Sequence, residues 1–210
     1  VVFPTYWFGQ VHEASCFTGT VNFPTALLCQ LLETLLDEIA ANGFRKIALV
    51  SGHGGNTDFL HYFAMSQLDR EVSYTLYVLS TFGSEGGAGE AARAVLDTHE
   101  GGHADEAETS MILSVVPDAV KMEQQRFPEP IRPKVDLSHL KGVHTGLWWY
   151  AAFPENVTGF PGQATREKGD ALISGAAADV AAALAAIAAD ETVPRLQQEF
   201  YRRVRDKGRI

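Results

Sequence analysis

Two short segments carry the side chains best suited to chemistry. The first is Gly52-His53-Gly54-Gly55-Asn56. Its glycines let a ligand approach the backbone without a side chain in the way. Its imidazole can carry a proton or bind zinc, manganese or iron. A phosphate-cradling loop would need a Lys-Ser/Thr pair after the glycines, and none follows. Two readings of His53 stay open: a metal ligand at a site with free coordination positions, or a histidine hydrogen-bonded in a tight turn.

The second segment runs from Thr98 to Ser110 and contains His99, Glu100, His103, Asp105, Glu106 and Glu108. His99, Glu100 and His103 match the zinc-peptidase pattern H-E-x-x-H, which needs both histidines on one helix face. Gly101-Gly102 fills that turn, and each glycine costs a helix interior about 1 kcal/mol relative to alanine. A helix starting at or after His103 is the better expectation. His103 then stands at the helix entrance and Glu108 lies one to two turns inside, a proton shuttle and a carboxylate able to share one cleft. Asp105 and Glu106 read as an acidic, solvated first turn that suits the helix dipole.

The elements around these segments place them at strand and helix ends. Lys46 to Ser51 is apolar through its centre and predicts a strand covered on both faces. Leucines at three and four spacing predict a helix over 24–41, stopped by Asn42-Gly43. A helix over 57–68 and a strand over 72–79 complete a βαβ unit, which is parallel and right-handed by rule. His53 thus leaves the carboxyl end of a strand, where open α/β sheets bind ligands. Val1 to Phe8 reads as a short strand or extended segment. A short helix is expected near Glu90 to Leu96 and a third long one from His103 to Val115. The stretch 117–161 is irregular, with the aromatic cluster Trp148-Trp149-Tyr150. Helices are expected over 165–189, with Thr165 as its cap, and 194–207.

The chain has 210 residues, 46% hydrophobic and 20% charged, and a net charge of −9. Its length suits one domain with a sizeable core. The acidic balance speaks against nucleic acid and against anionic membranes. No apolar run is expected to reach transmembrane length, since Asp179 interrupts the alanine-rich stretch 176–189. Cys16 and Cys29 are too few for a disulfide framework, so a cytoplasmic location is expected. The opening Val1-Val2-Phe3-Pro4, with no methionine, reads as part of a longer polypeptide.

Taken in order, four motifs resemble the creatininase (creatinine amidohydrolase) family. They are Phe17-Thr18-Gly19-Thr20, Ser51 to Asn56, His103 to Ser110, and Gly159 to Gly169. The resemblance implies a three-layer α/β/α sandwich with a mainly parallel sheet. It implies a hydrolase of small cyclic amides or related carbonyl compounds, with two divalent ions (zinc, manganese or iron) and a homo-oligomeric, hexameric assembly. By resemblance His53 is a metal ligand, Glu108 is a metal ligand or supports one from behind, and His103 shuttles a proton to the leaving nitrogen. Gly54, Gly55, Asn56 and Trp148 are expected to contact a small-molecule substrate. The family motif E-x-H-G-x-H-x-P-x-x-T-D, which supplies further ligands, would precede Val1. Creatininase itself has a glutamate ligand where this chain has Gly55, which argues against creatinine as the substrate, and Asp105 stands in place of a usual glycine. The alternatives are a zinc peptidase using His99 and Glu100, and a non-catalytic subunit of the same family.

Overall fold

Leu28, Leu32, Leu36 and Ala40 recur every fourth residue and are buried along one face of helix α1 (Thr25–Ala41). Gly43, at φ +96°, ends it with its N–H on the Ala40 carbonyl. Strand β1 (Lys46–Ser51) follows, and helix α2 (Thr57–Ser66) carries the chain to strand β2 (Thr75–Ser80). The two strands pair in parallel, with Lys46 opposite Thr75 and Ser51 opposite Ser80. Beyond them lie helices α3 (Ala88–Ala92), α4 (Glu106–Val115), α5 (Trp148–Ala152), α6 (Arg166–Ala189) and α7 (Thr192–Arg205). The computed structural model describes residues 1–81, 86–98, 101–125, 135–153 and 155–207. These divide into two units: Val1–Val11, Val21–Phe82 and Val180–Ile210 in one, His12–Thr20 and Gly83–Asp179 in the other.

The first unit is an apolar βαβ core. Leu32, Leu36 and Ala40 of α1 meet Ile47 of β1, Leu60 and Phe63 of α2, and Tyr74. Leu36 and Phe63 are fully buried, and each such side chain contributes about 1.5–3 kcal/mol of hydrophobic stabilisation. The C-terminal segment closes on the strands through polar contacts. Tyr77 Oη donates to Asp190 (2.8 Å), Lys46 Nζ donates to the Ala188 carbonyl (2.8 Å), and Gln197 Nε2 donates to the Tyr74 carbonyl (2.8 Å). Burial, followed by the Asp190 bond and charge, pushes the Tyr77 hydroxyl up to about 12.

The second unit has a small apolar cluster of Leu96, Ala107 and Leu172. Close helix contact and polar bonds supplement it. Gly169 of α6 lies against the Ser110 carbonyl of α4, and Gly175 lies against Ala88. Asp179 accepts the N–H groups of Ala88 and Gly89 (2.7 and 2.9 Å), and Ser114 donates to Asp170. By length and composition α6 is, among the described residues, long and apolar enough to cross a membrane. This amends the sequence expectation, because alanine on both sides of Asp179 keeps the helix apolar overall. Of its charged residues, Lys168, Asp170 and Asp179 bond within the second unit.

Four further expectations change. Val1 to Phe8 forms no strand, and Val1, Val2 and Trp7 are exposed. Strand β2 starts at Thr75 rather than Val72, because pairing begins where the Thr75 N–H meets the Arg45 carbonyl (2.8 Å), while Tyr74 turns into the core. Helix α4 starts at Glu106 rather than His103. The Trp148–Ala152 stretch is a one-turn helix within the segment read as irregular.

Candidate functional site

At the carboxyl end of β1 the backbone passes through His53, extended at φ −136°, into a 3₁₀ turn over Gly54–Asn56. The turn is fixed from within. Ser51 Oγ donates to the His53 carbonyl (3.1 Å) and accepts the His53 N–H (3.3 Å), and the Asn56 N–H reaches the His53 carbonyl (3.1 Å). The segment before His12 is lashed to this turn: Asn56 Oδ1 accepts the Gln10 N–H (2.8 Å), and Gln10 Nε2 donates to the Gly55 carbonyl (3.1 Å). A Cβ on Gly9 would come within 2.7 Å of Asn56 Oδ1. Asn56, expected to contact substrate, has its carbonyl oxygen committed to the chain. Only the backbone of His53 is engaged among the described residues.

His103 lies in the second unit, in the turn before α4. Gly101 and Gly102 sit at φ +146° and +140°, and Ala104 at φ +53°. A helix cannot pass through these dihedrals. Helix α4 therefore begins beyond these residues, and His99 and Glu100, the pair of the zinc-peptidase reading, lie outside the described residues. Ala104 holds a left-handed backbone that costs a residue with a Cβ about 1–2 kcal/mol, and its N–H is secured on Glu108 Oε2 (2.7 Å). Asp105 then caps α4 by accepting the Glu108 N–H (2.9 Å).

The His103 imidazole is held by the 156–158 segment and by Trp149. Nδ1 lies 2.6 Å from the Asn156 carbonyl, the Thr158 N–H donates to the His103 carbonyl (2.9 Å), and the ring meets Trp149 edge-on at 5.4 Å. Trp149 Nε1 donates to Asn156 Oδ1 (2.7 Å). Trp148, the tryptophan expected at the substrate, is exposed and packs on Trp149 (5.3 Å). A hollow of about 260 Å³ is lined by Ala104 and Val157, the chain neighbours of His103 and Asn156, and by Thr109, Lys121, Met122 and Pro161 among others.

Below His103 the acidic turn is buried. Glu106 is 0% exposed. Its carboxylate accepts the N–H groups of Asp97 (3.0 Å) and Thr98 (2.8 Å), the Thr98 hydroxyl (2.5 Å) and Lys168 Nζ (2.5 Å). Lys168 also reaches Asp97 (2.7 Å) and the Gln163 carbonyl (2.8 Å). Burial alone would raise the Glu106 carboxyl, but the four donors outweigh it and hold it down at about 2. The solvated first turn expected for Asp105 and Glu106 is thus corrected. Asp105 is a buried cap, and Glu106 is the centre of an ion pair with α6.

The structure brings His103 and Glu108 into one turn, joined through Ala104 and Asp105, and places His53 in the first unit. It adds Trp149, Asn156 and Thr158 around His103. Trp149 stood out in sequence as part of an aromatic cluster; nothing in the local pattern marked Asn156 or Thr158.

The family model of creatininase, creatinine amidohydrolase, matches residues 1–184. The chain belongs to the creatininase family. By that membership it is a hydrolase of C–N bonds. No curated protein matches the chain. Among solved structures it is similar to a candidate creatinine amidohydrolase from Bacteroides fragilis NCTC 9343, at 20% identity over 88% of this chain and 70% of that one, with a TM-score of 0.70. It is also similar to a mutant creatininase complexed with creatine (20% identity, 85% and 72% covered, TM-score 0.60). A third is a mutant creatininase of Zn-Zn type (20% identity, 85% and 71% covered, TM-score 0.62). These likenesses give the chain the creatininase α/β fold.

Creatininase-family membership raises the question of a metal. Glu108 keeps Oε1 without a partner among the described residues and His53 keeps its ring, so both retain donor atoms. Among the described residues, however, no group of three or more His, Cys, Asp or Glu side chains forms a metal site. A catalytic zinc takes three protein ligands. The described donor set therefore falls short of a complete centre.

Proposed function

We propose that this creatininase-family chain hydrolyses a small cyclic amide, with a divalent metal as its cofactor. The observation that carries the reading is His103: an imidazole gripped by the 156–158 segment and followed in the chain by Ala104, which lines a hollow of about 260 Å³. Ring opening adds hydroxide to the carbonyl carbon and a proton to the departing nitrogen. His103 supplies that proton, and the C–N bond breaks as the nitrogen accepts it. Lys121 and the apolar Met122, Val157 and Pro161 line the hollow and suit a compact ring with one polar edge. His53 and Glu108 are the residues we assign to metal binding, and the Zn-Zn type relative supports a divalent ion. A reducing compartment fits the two free cysteines.

The test is ring opening of a panel of small cyclic amides, creatinine included, by the full-length protein supplied with zinc or manganese. His103→Ala is expected to keep the wild-type metal content and lose turnover by about 10²–10⁴-fold, the usual contribution of a positioned acid or base. Undiminished turnover in that variant, or no hydrolysis across the panel by the wild type, overturns the reading.

A further inference from the structure

Asn156 is, among the described residues, one of two non-glycine residues with a left-handed backbone, at φ +56°. Asparagine tolerates that region better than other residues with a Cβ. The conformation accompanies two hydrogen bonds that this residue accepts. Its main-chain carbonyl faces His103 Nδ1 at 2.6 Å, and its side-chain carbonyl faces Trp149 Nε1–H at 2.7 Å. The Asn156 N–H closes on the Phe153 carbonyl at 3.0 Å, which ties the residue back to the end of α5. Two residues on, the Thr158 N–H takes the His103 carbonyl at 2.9 Å. The histidine is thus held at its ring and at its backbone by one short segment.

The chemistry of these partners requires a proton on Nδ1. A carbonyl oxygen has no hydrogen to donate, so a ring nitrogen 2.6 Å from it must carry the proton. A neutral imidazole has one N–H, and the bond made by one nitrogen dictates the state of the other. Free in water, histidine favours the opposite tautomer, with the proton on Nε2. Trp149 holds both ends of this arrangement: its ring meets the imidazole edge-on at 5.4 Å while its N–H fixes Asn156. Phe153 packs on Trp149 at 4.6 Å.

We infer that Asn156 is a positioning residue, clamped by Trp149, that holds His103 as its Nδ1–H tautomer and leaves Nε2 as the nitrogen that exchanges the proton with substrate. The catalytic consequence rests on the assignment of His103 in the proposed function; the tautomer itself does not. When neutral, Nε2 offers a lone pair; when protonated, it offers the hydrogen that the departing nitrogen receives, and Nδ1–H stays on the Asn156 carbonyl throughout.

The experiment is a long-range ¹H–¹⁵N correlation spectrum of the full-length protein labelled in histidine, recorded at a pH where the rings are neutral. His103→Gln assigns the signal by its loss. The wild type is expected to show His103 in the Nδ1–H pattern. Asn156→Gly keeps the carbonyl and the left-handed backbone but removes the Trp149 acceptor, and is expected to shift His103 toward a mixture with the Nε2–H form. Trp149→Phe keeps an aromatic ring and removes only the donor, and is expected to do the same. Asn156→Asp restores the acceptor and is expected to restore the wild-type pattern. An Nε2–H signal for His103 in the wild type overturns the inference without recourse to any variant. So does an unchanged Nδ1–H pattern in both Asn156→Gly and Trp149→Phe. If the tautomer is as stated and no cyclic amide is hydrolysed, the proposed substrate class fails and the clamp stands.

Discussion

Replacing Glu106 by glutamine isolates the buried ion pair between α4 and α6. The carboxyl stands at about 2 in the folded chain against an ordinary 4.5. The unfolded chain therefore binds a proton first as pH falls, and stability declines from about pH 4.5 down to about pH 2. At about 1.4 kcal/mol per unit the full separation is worth ~3 kcal/mol. The network is not sealed, since Lys168 is 15% and Asp97 65% exposed. Solvent screening on that side reduces the pH-dependent part to ~2 kcal/mol.

Glutamine also introduces a mismatch that pH does not relieve. One oxygen of Glu106 accepts from Asp97 N–H and Lys168, and the other from the N–H and O–H of Thr98. The new amide nitrogen faces donors in either orientation, which adds about 1–3 kcal/mol. Urea unfolding of wild type and Glu106→Gln, compared at matched pH, separates the two parts. The stability gap is expected to be full above about pH 5 and to narrow by most of the ~2 kcal/mol on approaching about pH 2.5. Taking the difference removes carboxylates common to both proteins, such as Asp190, which the Tyr77 hydroxyl and neighbouring N–H groups hold below its usual range. A gap that stays constant through that interval would mean that the Glu106 carboxylate is not stabilised in the folded state, and the reasoning fails.

Gly169→Ala drives a Cβ into the Ser110 carbonyl and the Ser114 side chain; overpacking of this kind costs about 1–3 kcal/mol or more, read as a drop in thermal midpoint, and an unchanged midpoint would show that α6 does not sit on α4 as described. Asp105→Ala removes the cap on the Glu108 N–H and is expected to cost about 1 kcal/mol, measured by urea unfolding at neutral pH; no loss would mean that the cap is dispensable. Leu36→Ala empties a fully buried position in the first unit and is expected to cost about 2–5 kcal/mol in the same assay, with a value below that range pointing to a core able to collapse around the gap.

The elements legible in the sequence are those whose burial repeats locally. Leu28, Leu32 and Leu36 announce α1 because one face of a helix returns every three or four residues, and that face is the buried one. The apolar centre of β1 and the glycines after it place His53 at a strand end without further information. Local pattern failed where a long-range partner or a backbone angle decides. Asp105 and Glu106 read as solvated acids because acids usually are; the lysine that buries Glu106 is 62 residues away. Nothing periodic separates a helix beginning at His103 from one beginning at Glu106. The boundary is set by the positive φ angles of Gly101, Gly102 and Ala104 and by the Asp105 cap. The same applies to the site. His103 and Glu108 are recognisable by type, but what orients His103 is a carbonyl 53 residues on, and any residue has a carbonyl. The identity of residue 156 matters for a different reason: a left-handed backbone excludes most side chains, and an acceptor for the Trp149 indole excludes glycine and alanine. Asparagine satisfies both demands, a coincidence of constraints that only the folded segment displays.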